Sequence, residues 1–289
     1  MEYRCFDVKL EGRVAHIVLN RPEKRNAMIP EFWDELPKIV QDLDENAKAR
    51  AIVISSTGPH FCSGIDVSIF GANEQKQQSA ERDDAKAGRT RGARFYSDVR
   101  RMQNTFSALE NCRLPVLAAV QGGVIGGGVD LVTACDMRYA TEDAFLTIFE
   151  INIGMTADVG TFPRLVKLIP EGIVRELAYT GRRMPAMEAQ QVGLINRVYP
   201  DQATMLEGVF EIAEEIASKA PLAVYGSKRI INYARDHSTV DGLDYISIWN
   251  ASMLQRDEIA EAMAANQDKR AGEFADLPKV RKNQSDEIS

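Results

Sequence analysis

The stretch PVLAAVQGGVIGGGVDLVTAC, Pro115 to Cys135, most constrains how this chain folds. A β-branched apolar run, a glycine cluster and a helix-compatible run succeed one another there, which predicts strand, tight turn and helix. Glycines at Gly126, Gly127 and Gly128 have no Cβ, so a ligand carbonyl approaches the backbone N–H groups closely, and the positive end of the following helix favours charge on its oxygen. The same glycines also serve a turn that only lets a helix pack closely, and they do not decide between these readings on their own.

A second small-residue turn, Phe61-Cys62-Ser63-Gly64-Ile65-Asp66, follows the strand-like AIVIS from Ala51 to Ser55. Two backbone donors from two turns are what an oxyanion hole requires. Beyond the glycines lie three carboxylates in largely apolar surroundings: Asp130, Glu150 and Asp158. Each has a plain structural reading: Asp130 at a helix start, Glu150 ending a strand at the surface, Asp158 capping the helix that begins near TFPRLV.

With both turns in view, the chain resembles the crotonase, or enoyl-CoA hydratase/isomerase, superfamily over nearly its whole length. RVAHIVLNRPEKRN, residues 13–26, is similar to the family's opening strand and turn, SGID to its first oxyanion element and IGGGVD to its second. The resemblance implies an α/β fold, a spiral of repeated ββα units with a C-terminal helical oligomerisation region. It divides the chain into a core over 1–200 with the acyl-CoA site and a helical region over 201–289. It also implies that Ile65 and Gly127 donate the oxyanion N–H groups. Ala27, within NRPEKRNAM, and Ser63, Gly64, Asp66, Val67, Ser68 and Gly128 would contact substrate or CoA.

Within that superfamily Asp130, Glu150 and Asp158 together resemble the dienoyl-CoA isomerase branch, because the hydratases typically carry Glu, Glu and Gly at these places. SKRIINYARDHS, residues 227–238, and WNASMLQ, residues 249–255, resemble the same branch. The implied reaction converts 3,5-dienoyl-CoA to 2,4-dienoyl-CoA in fatty-acid β-oxidation, with Glu150 as base at C2, Asp158 as acid at C6 and Asp130 tuning or positioning them. One carboxyl must then arrive protonated at neutral pH, which requires burial or a like-charged neighbour. Glu150 and Asp158 are eight residues apart across Gly154, so a turn must bring both to the acyl chain. Rival readings are an enoyl-CoA hydratase using Asp130 and Glu150, a 3,2-enoyl-CoA isomerase, or a noncatalytic CoA- or RNA-binding scaffold.

A net charge of −7 disfavours a polyanion-binding surface, and with it nucleic acid as a partner. Cys5, Cys62, Cys112 and Cys135 form no CxxC pair and suggest reduced thiols, with no metal site. His16, His60 and His237 lie outside the glycine and carboxylate segments, and neither GxSxG, GxGxxG with a ribose-binding acid, nor GKS/T is present. No cofactor is expected beyond the CoA of the substrate itself. No apolar run approaches membrane-spanning length. MEYRCFDVKLEG resembles no targeting presequence and QSDEIS is not SKL, so a cytoplasmic location is the expectation.

RVAHIVLN, AIVIS, PVLAAV and AFLTI are the expected strands. EFWDELPKIVQDLDENA is an expected core-facing helix in which Pro37 should produce a kink or a delayed start. Residues 71–94, rich in charge, are expected as an exposed, mobile loop beside SGID, either a lid or a solvated insertion, with Lys76, Arg89 and Arg91 as candidates for CoA phosphates. After Asp201 the pattern is helical, and the resemblance implies that this region packs trimers or a dimer of trimers.

Overall fold

The computed structural model describes residues 3–66 and 85–280. Its centre is a six-stranded sheet in the order β1-β2-β3-β4-β6-β9. These strands are β1 (Phe6–Glu11), β2 (Val14–Leu19), β3 (Ala51–Ser56), β4 (Val116–Val120), β6 (Met137–Thr141) and β9 (Arg197–Tyr199). Within this sheet β1 and β2 pair antiparallel, in the register Phe6↔Leu19 to Glu11↔Val14, and from β2 onward every neighbour is parallel. β3 and β4 are buried along their full length, as strands covered on both faces must be.

A smaller sheet, β5 (Gly123–Ile125), β7 (Phe145–Thr147) and β8 (Met184–Pro185), runs alongside. Bridges at Met28↔Ile65 and Cys62↔Val124 bring the two turns of interest up to it. The chain therefore repeats one unit: a strand in the large sheet, an extended step at the small one, then a helix. β4, β5 and α3 (Gly127–Thr133) make one such unit. β3, the Cys62 bridge and α2 (Ala85–Asn111) make another, as do β2, the Met28 bridge and α1 (Pro30–Glu45). This is the expected ββα spiral.

α1 buries Phe32, Trp33, Leu36, Ile39, Val40 and Leu43 on its core side. Contrary to the expectation of a delayed start, α1 begins with Pro30 at its first position and runs through Pro37 to Glu45. Pro37 lacks the N–H that would bond the Trp33 carbonyl; the Thr105 hydroxyl from α2 donates to that oxygen instead, at 3.0 Å.

The structure also corrects the expected loop 71–94, since α2 begins at Ala85 and carries residues 85–94 as helix. Arg89 and Arg91 therefore sit on α2, and Arg91 already has a partner. Residues 71–84 with Lys76, and the candidates Val67 and Ser68, lie outside the described residues. β1, β5, β6, β8 and β9 were not anticipated: β5, β8 and β9 have three, two and three residues, too few for a period to register.

After α5 (Glu171–Thr180) and α6 (Ala186–Gln191), the described residues beyond 201 form four helices: α7 (Gln202–Ala217), α8 (Pro221–Asp236), α9 (Thr239–Met253) and α10 (Arg256–Asp268). α7, capped by the Asp201 side chain on the Thr204 N–H, buries Met205, Val209 and Ala213 against Val53, Leu117 and Ala119 of the large sheet. Among the described residues no helix is long and apolar enough to cross a membrane.

Candidate active site

The two turns meet. Ile125 N–H donates to the Cys62 carbonyl at 2.9 Å, and Cys62 N–H to Gly123 at 3.1 Å. Gly64 has φ +85, and a Cβ there would lie 2.9 Å from the Ile125 oxygen and 3.3 Å from the Gly127 nitrogen. Only a glycine lets residues 64–65 approach the start of α3 this closely. Among the described residues the N–H groups of Ile65 and Gly127 donate to no backbone carbonyl, and Gly127 is the first residue of its helix, where the N–H has no intrahelical partner. The close-packing reading of the glycines holds for Gly128, where a Cβ would press on the Cys62 oxygen at 3.1 Å.

NRPEKRN joins the same region. Arg25 and Asn26 both take left-handed backbone, at φ 51 and 55, so the chain turns back sharply. The buried Asn26 side chain accepts from the Arg21 N–H at 2.8 Å and donates to the Thr57 and His60 carbonyls at 2.8 and 3.0 Å. That lock sets Ala27 and Met28 beside the SGID turn: Ser63 N–H reaches the Arg25 carbonyl, and Asp66 N–H the Met28 carbonyl, each at 3.0 Å.

Glu150 lies in a 3-10 turn, Phe149–Ile153, closed by Gly154 at φ 74 and by Met155 N–H on the Glu150 carbonyl at 2.9 Å. The chain then reverses toward Asp158. Residue 126 must be glycine for the Glu150 carboxyl to lie where it does, since a Cβ there would be 2.9 Å from Glu150 Oε1. Glu150 Oε2 is buried, with no hydrogen-bond partner among the described residues. Burial raises the Glu150 carboxyl above the usual carboxylate range, and the charge of Asp158 raises it further. The half-buried Asp158 is raised by desolvation too. Asp158 does not cap the helix α4 (Thr161–Leu165), whose cap position is Gly160 with no side-chain bond.

Asp130, 1% exposed in the first turn of α3, supplies that missing contact from across the site. Its Oδ1 accepts from the Thr161 N–H at 2.6 Å and the Thr161 hydroxyl at 2.8 Å. Burial nonetheless pushes Asp130 up to about 7, with the charge of Glu150 adding to the rise and Thr161 opposing it. Glu150 therefore feels Asp158 and is felt by Asp130, so the three carboxyls form one electrostatic group. Thr161 and Gln103, whose amide reaches the Asp158 carbonyl, are site residues that the sequence reading passed over, and Gly126, read there as a turn glycine, also makes room for the Glu150 carboxyl. Thr161 carried a faint signal, an unremarked hydroxyl three residues after Asp158; Gln103 carried none.

The raised Asp130 has a stability consequence of definite sign. Its folded form keeps a proton that the unfolded form releases near 3.8, so its contribution is fully present below that value and is lost as pH rises toward about 7. The loss is on the order of a few kcal/mol. Asp130→Asn, whose amide oxygen still accepts from Thr161, should raise the melting temperature more at pH 8 than at pH 5, as read by thermal unfolding at both. An equal effect at the two pH values contradicts the raised carboxyl.

A sequence model of the enoyl-CoA hydratase/isomerase family matches residues 9–277. The chain is 47% identical to the mitochondrial Delta(3,5)-Delta(2,4)-dienoyl-CoA isomerase of Mus musculus over 262 residues, which covers 90% of this chain and 78% of that protein. It is 40% identical to the peroxisomal enzyme of that name from Arabidopsis thaliana, over 92% of this chain and 94% of the other. Among solved structures, the enoyl-CoA hydratase of Bacillus anthracis superposes with a TM-score of 0.78 at 29% identity, covering 96% of this chain and all of that one (100%). The chain belongs to the enoyl-CoA hydratase/isomerase, or crotonase, family. The expected cytoplasmic location is overturned by these relatives, which are named mitochondrial and peroxisomal. The physical reason for the miss is that a targeting address is read by a receptor, so a comparison of MEYRCFDVKLEG and QSDEIS with a few known patterns does not decide location.

Proposed function

We propose that the chain is a dienoyl-CoA isomerase that converts 3,5-dienoyl-CoA to 2,4-dienoyl-CoA, as the relatives' names state for them. The observation that carries this reading is the pairing of Glu150, with its unpartnered buried Oε2, and Asp158, which raises it. A carboxylate oxygen without a hydrogen bond in a dry site is a strong base, and Asp158, whose carboxyl burial raises, is the second group placed to give a proton.

In this mechanism Glu150 takes the C2 proton. The electron pair moves into the conjugated system, and charge rests on the thioester oxygen between the N–H groups of Ile65 and Gly127. Asp158 gives a proton to C6, so double bonds at C3 and C5 become double bonds at C2 and C4. Glu150 leaves the cycle protonated and Asp158 ionised, and exchange with solvent resets both. Ser63, Gly64, Asp66, Gly128 and Ala27 frame the thioester and CoA. No cofactor takes part in these steps, since the only charge to be stabilised is the thioester oxygen's. Asp130 is ill suited to activate water as in a hydratase, because its Oδ1 is committed to Thr161; its place is to hold the α4 turn and set the charge around Glu150. Purified protein given 3,5-dienoyl-CoA should develop the absorbance of a 2,4-dienoyl thioester, and turnover of a 2-enoyl-CoA exceeding it would return the chain to the hydratases.

The proposed substrate class supports a role in fatty-acid β-oxidation. For the region after residue 201 we propose a homotrimer or a dimer of trimers. α7 is spent on the sheet, but Val240, Leu243 and Ile248 on α9 and Met263 on α10 are more than half exposed, an apolar surface that a monomer leaves in water. Light scattering should return three or six times the chain mass of 32.1 kDa; a fully active monomer contradicts it.

A further inference from the structure

The segment bearing Asp158 is an irregular strip between two glycines in positive-φ backbone, Gly154 at φ 74 and Gly160 at φ 135. Ala157 and Val159 are buried, and the half-buried Asp158 alternates with them. A strip of this kind fixes side-chain direction by burial but leaves its position along the site to hydrogen bonding. Among the described residues, the backbone from Thr156 to Val159 makes one hydrogen bond to another element: Gln103 Nε2 of α2 donates to the Asp158 carbonyl at 2.7 Å. The amide is itself oriented, because Arg100 Nη1 donates to Gln103 Oε1 at 2.9 Å, one helical turn earlier. A guanidinium on the oxygen forces the NH₂ toward the carbonyl.

We propose that Gln103, oriented by Arg100, is a positioning residue for the proton donor: it sets the depth at which Asp158 meets C6 of the substrate. The inference rests on the reading of Asp158 as acid. Gln103 touches neither the glycine turns nor Glu150 by any hydrogen bond, so its loss falls on the second proton transfer and spares the first. General acid catalysis depends on geometry steeply enough that a shift of about 1 Å costs up to about 10²-fold.

The test compares Gln103→Glu, Gln103→Met and Arg100→Met with the unsubstituted protein, in turnover of 3,5-dienoyl-CoA and in C2–H exchange of the bound substrate in D₂O. Gln103→Glu keeps the shape and the bond to Arg100 while removing the donor, so it reports even if the methionine variant fails to fold. Both Gln103 variants should lose about 10-fold or more in kcat, with KM held within about twofold and C2 exchange largely retained. Arg100→Met should follow in the same direction by less. Unchanged kcat in Gln103→Glu overturns the proposal, as does equal loss of exchange and isomerisation, which is what general damage to the fold produces. Failure of the unsubstituted protein to convert the diene is a separate result, visible before any variant is made, and removes the underlying reading instead.

Discussion

Glu150→Gln should abolish both isomerisation and C2–H exchange, with kcat falling by at least about 10²-fold and KM little changed. The amide occupies the same volume beside Gly126, whose missing Cβ makes room for this side chain, so folding and acyl-CoA binding should survive. What disappears is a buried oxygen with no hydrogen-bond donor among the described residues. That oxygen is the natural seat for the C2 proton. An exchange rate unchanged in this variant would move the base elsewhere.

Asp158→Asn should show the opposite partition. Isomerisation should again fall by at least about 10²-fold, because an amide has no acidic proton to deliver at C6. Exchange at C2 should persist, since Glu150 and the two oxyanion N–H groups remain. Loss of exchange in the Asp158 variant, with retention in the Glu150 variant, would reverse the two roles.

These predictions concern residues that the sequence exposed unevenly. The glycine run between an apolar strand and a helix was legible because each of its parts obeys a local rule: β-branched run, missing Cβ, helix start. The same holds for β3, β4 and the helical character after residue 201, although the run from Leu243 to Gln267 reads as one helix and is two, α9 and α10, whose apolar periodicity is weak. Pro37 does not delay the helix start, because its penalty is local while its remedy, the Thr105 hydroxyl, comes from another helix. The Glu150–Asp158 pairing is invisible to spacing, since eight residues span neither a helix turn nor a strand period. It depends on Gly154 adopting positive φ and on the short bond from Met155 back to Glu150. The Asp130–Thr161 contact spans 31 positions and the Gln103–Asp158 contact 55; neither follows from any local pattern. The resemblance to a family supplied the roles of the three carboxylates, and the structure shows their surroundings: one carboxyl tied to a threonine, one with a buried oxygen left unpartnered among the described residues, one held by its backbone.

The measurement that bears most directly on the account is the position of solvent hydrogen in the product. Purified protein turning over a 3,5-dienoyl-CoA in D₂O should yield 2,4-dienoyl-CoA with one deuterium at C6, because Asp158 exchanges with solvent before it donates and Glu150 is a different group. Product with ordinary hydrogen carried from C2 to C6 would mean a single shuttling base, and a 3-hydroxyacyl product would mean water addition. Either result contradicts the two-carboxylate isomerase described here.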